Sequence, residues 1–327
     1  MSSFFRYMLM NEIQIVLYII GGSIGLFIGA EVLVRGASSL AIRLGISPLV
    51  VGLTVVAFAT SSPELVVSIK AAIEGNPGIV VGNVVGSNIC NIALILGVAA
   101  MISPMSIKSQ VIKREIPIMI IVSVILLLIL LDDTITRVEG VFLVIGIITY
   151  IILGYKHSIK EKDNKEVIKE FEEIIPKSPY KIWQSLIFIL AGSGLLVLGS
   201  DLFVDGAVAV AEKFGVSQAV IGLTIVALGT SLPELSTSIV ASFKNENDIA
   251  IGNAVGSNVF NILSVLGISS LVRPITDTGI TIVDLSIMMF FTILILPLSR
   301  SKFTLRRWEG GFLFAGYIAY IIYLGYS

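Results

Sequence analysis

Two glutamates of this sequence stand in long apolar stretches, where an ionised carboxylate is costly. Glu64 and Glu234 each follow a proline, in the segments TSSPEL at 60–65 and TSLPEL at 230–235. Near the centre of a bilayer such a charge persists when a positive group neutralises it. Neither motif contains Lys or Arg, so a bound cation is the natural counter-charge. The alternative is a permanently protonated glutamate in a hydrogen-bonded core, and the duplicated pair argues against it.

The residues around both glutamates offer oxygen atoms. Helical spacing places two matching sets of residues on helix faces. The first set is Ala57, Thr60, Ser61 and Glu64, with Ser87 and Asn91, and the second is Ala227, Thr230, Ser231 and Glu234, with Ser257 and Asn261. Ca²⁺ and Na⁺ take oxygen ligands, whereas Zn²⁺ and Cu⁺ favour nitrogen and sulfur. The sequence therefore predicts a hard-cation site, in which Ca²⁺ would need about 6–8 oxygens.

The composition predicts that this site lies in a membrane. The chain has 327 residues, of which 55% are hydrophobic and 14% charged, whereas about a quarter of residues are charged in ordinary soluble domains. Its net charge of −1 predicts no nucleic-acid partner. Each crossing needs about 20 mostly apolar residues. Ten apolar segments are predicted, near 13–33, 44–73, 79–103, 115–131, 138–155, 183–203, 214–243, 249–272, 281–299 and 309–326.

The distribution of basic residues predicts the orientation of the chain. With ten crossings, the loops on one side carry 17 of the 22 Lys and Arg residues, and those on the other side carry 5. The basic side includes the hydrophilic stretch 156–181, which is too short and too charged to be a folded domain. The positive-inside rule places that side in the cytoplasm. We therefore expect a cytoplasmic linker at 156–181 and both termini on the outer, periplasmic or extracellular, side of the cell (inner) membrane.

The chain matches itself at an offset of 170 residues. Residues 52–65 (GLTVVAFATSSPEL) match 222–235 (GLTIVALGTSLPEL), and 82–91 (GNVVGSNICN) match 252–261 (GNAVGSNVFN). Because five crossings are an odd number, the second unit enters the membrane from the opposite face. The sequence thus predicts an all-α integral membrane protein with ten transmembrane helices, as two inverted five-helix repeats at 12–155 and 182–327. Such repeats are typical of secondary transporters, with the substrate site between them; a duplicated scaffold without transport is the alternative.

Pro63 and Pro233 predict breaks in two membrane segments. Residues 47–73 would form an unbroken helix of roughly 40 Å, longer than the hydrocarbon core of about 30 Å. Pro63 lies in the middle of this run and cannot donate a backbone hydrogen bond. We expect a break or kink at 60–63 that frees carbonyl groups to face a cavity, and the same at Pro233.

Two further groups of residues recur in both halves. The glycines Gly82, Gly86, Gly252 and Gly256 predict close helix packing. The asparagines Asn83, Asn88, Asn253 and Asn258 are candidates both for cation ligands and for hydrogen-bonded ties between the broken helices.

These motifs resemble the two alpha repeats of the calcium/cation antiporter superfamily, and most closely its prokaryotic sodium/calcium exchangers. The GTSxPE motif of that family corresponds to ATSSPE at 59–64 and GTSLPE at 229–234, and its GNxxGSN motif corresponds to 82–88 and 252–258. The resemblance implies Na⁺/Ca²⁺ antiport by alternating access, with the first and sixth segments sliding as a two-helix bundle past a diamond of four sites. It implies that Glu64 and Glu234 bind both ions, completed by Thr60, Thr230, Ser61, Ser231, Ser87 and Ser257, by the carbonyl groups of Ala57 and Ala227, and by the positions Asn91 and Asn261.

One departure from the family pattern concerns charge. Many sodium/calcium exchangers carry an aspartate at one of the positions 91 and 261, and this chain has asparagine at both. Two glutamates neutralise one Ca²⁺ or two Na⁺, and a third Na⁺ would leave a net positive charge in a low-dielectric site. This argues against carrying over a three-to-one exchange ratio and leaves room for two-to-one. It also weakens the case for a K⁺-dependent mode.

Other functions compete with this interpretation. The nearest is a Ca²⁺/H⁺ antiporter, or one for another divalent cation; the TSxPE order before each glutamate favours Na⁺ coupling. A passive cation channel is a second class, and two carboxylates at a broken-helix site favour binding and exchange over rapid conduction. An intramembrane enzyme is a third, but the apolar segments contain no His, and a serine without a base is a poor nucleophile. We expect no enzymatic activity and no cofactor, the transported ions Ca²⁺ and Na⁺ and membrane lipid as partners, and function as a monomer.

Overall fold

The computed structural model describes residues 11–162, 180–214, 227–276 and 278–326. In these ranges the chain is mainly helical. By length and composition, seven of the described helices could cross a membrane, and up to eight if the bent pair α2–α3 counts as one span. The helices are α1 (Glu12–Leu44), α2 (Pro48–Thr60), α3 (Ser62–Glu74), α4 (Pro77–Ile102), α5 (Val111–Asp132), α6 (Arg137–Lys162), α7 (Ile182–Lys213), α8 (Ala227–Thr230), α9 (Leu232–Phe243), α10 (Asn247–Val272), α11 (Ile282–Arg300) and α12 (Arg307–Tyr326).

The predicted breaks at the two prolines are confirmed. Helices α2 and α3 are bent by 44° at Ser61, whose backbone leaves the helical region at φ −81° and ψ 4°. Ser231 separates α8 from α9 in the same way, at φ −92° and ψ 3°. Pro63 and Pro233 each lie in the first turn of the following helix, where the missing N–H costs no hydrogen bond. Each break therefore places a serine immediately before the glutamate-bearing helix.

Helix α1 is longer than the predicted segment 13–33. It has 33 residues, begins with a capping box at Asn11 and ends at Gly45 in the left-handed conformation. At 1.5 Å per residue it is roughly 50 Å long, which exceeds the bilayer core of about 30 Å. Beyond residue 33 the helix continues with buried apolar residues at Val34, Ala37 and Ala41, and Arg35 pairs with Glu31 at 2.6 Å.

Helices α1 and α7 pack with their backbones in contact. A Cβ atom added at Gly192 of α7 would lie 2.6 Å from the backbone nitrogen of Leu33, and one at Gly199 would lie 2.6 Å from that of Leu26. On the other side of α1, large apolar side chains such as Leu17 and Phe27 are exposed. The pair therefore forms a tightly joined two-helix unit with an outward apolar face.

The core of the molecule lies on α4 and α10. Their apolar windows are 78% and 83% buried, compared with 28% for α1 and α7. Gly256 allows α10 to pack closely against α2, because a Cβ atom there would lie 2.6 Å from the carbonyl oxygen of Leu53. Gly252 of α10 packs against α2 as well. Gly82 and Gly86 have no comparable contact with a described backbone. Residues 215–226, which match 45–56, lie outside the described residues.

The described structure is mainly helical, as predicted, and adds four two-residue strands that are too short to leave a pattern in the sequence. β1 (Met105–Ser106) pairs antiparallel with β4 (Thr304–Leu305), and β2 (Thr134–Ile135) pairs antiparallel with β3 (Ile275–Thr276). The two pairings are related by the repeat offset of 170 residues, because Met105 faces Leu305 while their repeat equivalents, Ile275 and Ile135, face each other. The two halves of the chain are thus joined by main-chain pairing at two equivalent places.

Candidate cation-binding site

Both predicted glutamates are completely buried in the first turn of their helices. Glu64 in α3 and Glu234 in α9 have no exposed surface. On each side chain, Oε2 has no hydrogen-bond partner among the described residues. The ion pairs found there involve other carboxylates, at Glu31, Glu74, Glu115 and Asp248. The described structure therefore holds two buried carboxylates without a basic partner.

The serine at each break contacts the glutamate of the opposite half. Ser61 Oγ donates to Glu234 Oε1 at 3.0 Å. In the matching contact, Ser231 Oγ is 3.3 Å from Glu64 Oε1 and also 3.3 Å from Ser87 Oγ. Since each glutamate uses only Oε1 in these bonds, Oε2 remains available for a ligand.

The asparagines Asn83 and Asn253 each tie a glutamate-bearing helix to the next helix of the same half. Asn83 Nδ2 donates to the carbonyl of Glu64 at 3.1 Å and to Ser68 Oγ at 3.0 Å. Asn253 Nδ2 makes the same two contacts in the other half, to the Glu234 carbonyl at 3.3 Å and to Ser238 Oγ at 3.2 Å. Of the two roles considered for these asparagines, the observed contacts favour the structural tie. Sequence reasoning missed the two buried serines, although each lies four residues after its glutamate.

The predicted threonines complete this framework from the opposite half. Thr60 Oγ1 donates to Asn253 Oδ1 at 3.0 Å, and its second contact is the Ala57 carbonyl at 3.3 Å. Thr230 Oγ1 lies 3.4 Å from Asn83 Oδ1. Ala227 is the first residue of α8, and the segment before it lies outside the described residues. The structure thus brings the threonines next to the asparagines that hold each glutamate.

Three further predicted oxygens are buried and unpartnered in the described structure. Asn91 and Asn261 have no exposed surface, and on each of them Oδ1 lacks a hydrogen-bond partner. Ser257 Oγ is buried and unpartnered as well. Buried polar atoms are normally satisfied, and each exception calls for an explanation. Together with the two glutamate oxygens, these atoms form a set of oxygens suited to a hard cation.

The candidate ligands around the two glutamates are all oxygen atoms. No group of three or more His, Cys, Asp and Glu side chains in the described part of the chain could hold a metal ion. Ca²⁺ and Na⁺ do not need such a group, because carbonyl, hydroxyl and amide oxygens also serve them. Two carboxylates surrounded by neutral oxygens can neutralise one divalent or two monovalent cations.

Comparison with known proteins identifies the family of this chain. A family model described as "Sodium/calcium exchanger protein" matches residues 14–156 and 184–326. The CaxA protein of Alkalimonas amylolytica is 39% identical over 93% of this chain and 96% of its own length. The sodium/calcium exchanger MaX1 of Methanosarcina acetivorans is 33% identical over 93% of this chain and 97% of its own. A solved structure of the sodium-calcium exchanger NCX_Mj superimposes with a TM-score of 0.81 at 31% identity, covering 96% of this chain and 99% of that one. The chain therefore belongs to the sodium/calcium exchanger family.

Proposed function

We propose that this protein is a secondary antiporter that exchanges Na⁺ for Ca²⁺ across the cell membrane by alternating access. The observation that carries the proposal is the pair of buried glutamates, each with an unpartnered Oε2 and without a basic partner in the described structure. The unpartnered oxygens of Asn91, Asn261 and Ser257 supply neutral ligands beside them. Relatives named as sodium/calcium exchangers support Na⁺ as the coupling ion.

In this proposal the two glutamates bind either ion, and the neutral oxygens complete the shells. The set includes Thr60, Thr230, Ser61, Ser231, Ser87, Ser257, Asn91, Asn261 and the carbonyl groups of Ala57 and Ala227. An empty site leaves two carboxylates in an apolar surrounding, which is unfavourable to move across the membrane. A site neutralised by one Ca²⁺ or by Na⁺ lacks this penalty. Because both ions need the same carboxylates, each is transported in exchange for the other.

The proposed topology has ten crossings in two inverted repeats, 12–155 and 182–327, joined by a cytoplasmic linker at 156–181. Three contacts support the predicted grouping of loops. The β1–β4 pairing and the Lys108–Asp248 ion pair at 2.8 Å both join loops predicted on the cytoplasmic side. The β2–β3 pairing joins two loops predicted on the outer side. Both termini then face outward, and exposed apolar faces such as that of α1 contact lipid around a monomer.

The decisive measurement is Ca²⁺ uptake into proteoliposomes that are loaded with Na⁺, at fixed pH and clamped membrane potential. We expect uptake only when Na⁺ can flow outward, with vesicles containing equal Na⁺ on both sides as the control. Uptake that ignores Na⁺ but follows a pH gradient would assign the protein to proton-coupled antiport. Uptake that needs neither gradient would indicate a channel and contradict coupled exchange.

A further inference from the structure

Four asparagines form a symmetrical clasp between the two halves at the base of the site. Asn88 Nδ2 donates to the backbone carbonyl of Asn258 at 3.4 Å, and Asn258 Nδ2 donates to the carbonyl of Asn88 at 3.4 Å. Asn261 Nδ2 donates to Asn88 Oδ1 at 3.2 Å, and Asn91 Nδ2 donates to Asn258 Oδ1 at 2.9 Å. All four side chains are buried, with exposures of 0–1%. Each half therefore holds the amide group of the other.

The clasp determines which atom each amide presents to the cation site. A backbone carbonyl can only accept a hydrogen bond, so the atom of Asn88 that faces Asn258 O must be the nitrogen. The other atom of that amide is then an oxygen, which accepts from Asn261 only if Asn261 turns its nitrogen toward it. Asn261 consequently turns Oδ1 away from the clasp, and this oxygen is buried and unpartnered. The equivalent hydrogen bonds in the other half, from Asn258 Nδ2 to the Asn88 carbonyl and from Asn91 Nδ2 to Asn258 Oδ1, orient the amide of Asn91 in the same way.

We propose that Asn88 and Asn258 are positioning residues that hold the amides of Asn261 and Asn91 with oxygen, not nitrogen, toward the transported cation. The proposal rests on the cation-exchange function proposed above. An asparagine amide has nearly the same shape in its two flipped orientations, yet one presents an acceptor and the other presents two N–H donors. A flipped amide would repel a cation that the correct orientation binds. Packing alone distinguishes these orientations poorly, whereas hydrogen bonds to a fixed partner distinguish them well.

The test measures the effect of Asn88→Ala on Ca²⁺ binding in the natural sequence and in the Asn261→Asp variant. Asn88→Ala removes the acceptor that holds Asn261, so the amide can flip. Asn261→Asp makes the flip irrelevant, because both carboxylate atoms are oxygens. We expect Asn88→Ala to weaken Ca²⁺ binding about 10–100-fold in the natural sequence, as is typical when the partner of a metal ligand is removed. In the Asn261→Asp variant, Asn88→Ala should not weaken Ca²⁺ binding. The carboxylate of residue 261 presents an oxygen in either orientation, and Asn88→Ala removes an oxygen that would otherwise face this carboxylate.

Binding is measured on the full-length protein in detergent, by equilibrium binding of radioactive Ca²⁺ and by the Ca²⁺-dependent rise of the unfolding temperature. The unfolding temperature without ions reports any general damage from the substitution. The mirror series, Asn258→Ala with and without Asn91→Asp, gives an independent second reading. We expect the same pattern in both series.

Two results would overturn the positioning role. One is an equal loss of Ca²⁺ affinity from Asn88→Ala in both backgrounds, which is the behaviour of a residue needed only for folding. The other is unchanged affinity in the natural background. A natural protein that binds neither Ca²⁺ nor Na⁺ would instead overturn the proposed exchange function, and the positioning role with it. These failures are distinguishable because the first two leave ion binding by the natural protein intact.

Discussion

Replacing Glu64 by glutamine should weaken Ca²⁺ binding about a thousandfold while leaving the fold intact. The substitution preserves the shape of the side chain and the hydrogen bond from Ser231 Oγ, which lies 3.3 Å from Glu64 Oε1. It removes one of two buried charges that have no basic partner in the described structure. Unit charges about 4 Å apart interact by roughly 4 kcal/mol at an effective dielectric constant of about 20, so a divalent cation and one carboxylate interact by about 8 kcal/mol. If half of this is offset by dehydration, a loss of about 4 kcal/mol remains, which corresponds to a roughly thousandfold weaker affinity.

Glu64→Gln should preserve or raise the stability of the ion-free protein but remove its stabilisation by Ca²⁺. This combination distinguishes the loss of a cation ligand from general damage to the fold. Without ions, the Gln variant should be at least as stable as the natural protein, because it buries one charge fewer. With Ca²⁺, its unfolding temperature should no longer rise, and Na⁺-driven Ca²⁺ uptake into proteoliposomes should be lost. Glu234→Gln should behave in the same way. Glu74→Gln is the matched control, since Glu74 lies in the same helix as Glu64 with 52% of its side chain exposed. A Glu64→Gln variant that binds Ca²⁺ with natural affinity would refute the assignment of this carboxylate.

Three further predictions concern the site and its supports. Ser61→Ala should lower the unfolding temperature in chelator, by an amount equivalent to about 1–3 kcal/mol, because it removes a donor to buried Glu234. Ser62→Ala should have a smaller effect, because Ser62 is only half-buried and donates to the Phe58 carbonyl, not to a glutamate. Gly192→Ala should destabilise the protein by about 1–3 kcal/mol in thermal unfolding, because its Cβ atom would lie 2.6 Å from the backbone of α1. Gly194→Ala in the same helix is the control, since no described atom lies within 4 Å of its added Cβ. Ca²⁺ should raise the unfolding temperature of the natural protein and Zn²⁺ should not, because the donors are oxygens; equal stabilisation by Zn²⁺ would contradict the oxygen site.

The breaks and the burial of the two glutamates could be predicted because they depend on local chemistry. Pro63 cannot continue a hydrogen-bonded helix, and the polar residues before it are readable in the sequence. The offset of 170 residues then identifies Pro233 and Glu234 as equivalents. Burial of both glutamates follows from the apolar segments around them, and the structure confirms it.

The contacts across the two halves could not be predicted in the same way. No pattern in the sequence indicates that Ser61 donates to Glu234 rather than to Glu64, or that Asn88 and Asn258 exchange hydrogen bonds. Such pairings depend on how the halves pack in three dimensions. The length of α1 was not predicted for a related reason, because the residues that extend it, such as Val34, Ala37 and Ala41, are buried only by packing against other helices.

These crossed contacts give the site a property that neither half has alone. Each carboxylate accepts from a serine of the other half, and each amide of the clasp is oriented by the other half. A displacement of one half against the other would therefore disturb the ligands of both glutamates at once. In the proposed site, a cation bound by both carboxylates favours the arrangement that brings the two halves together. A ligand shifts an equilibrium between two arrangements only by its difference in affinity for them, so a cation that needs both halves stabilises this arrangement over one in which the halves are displaced.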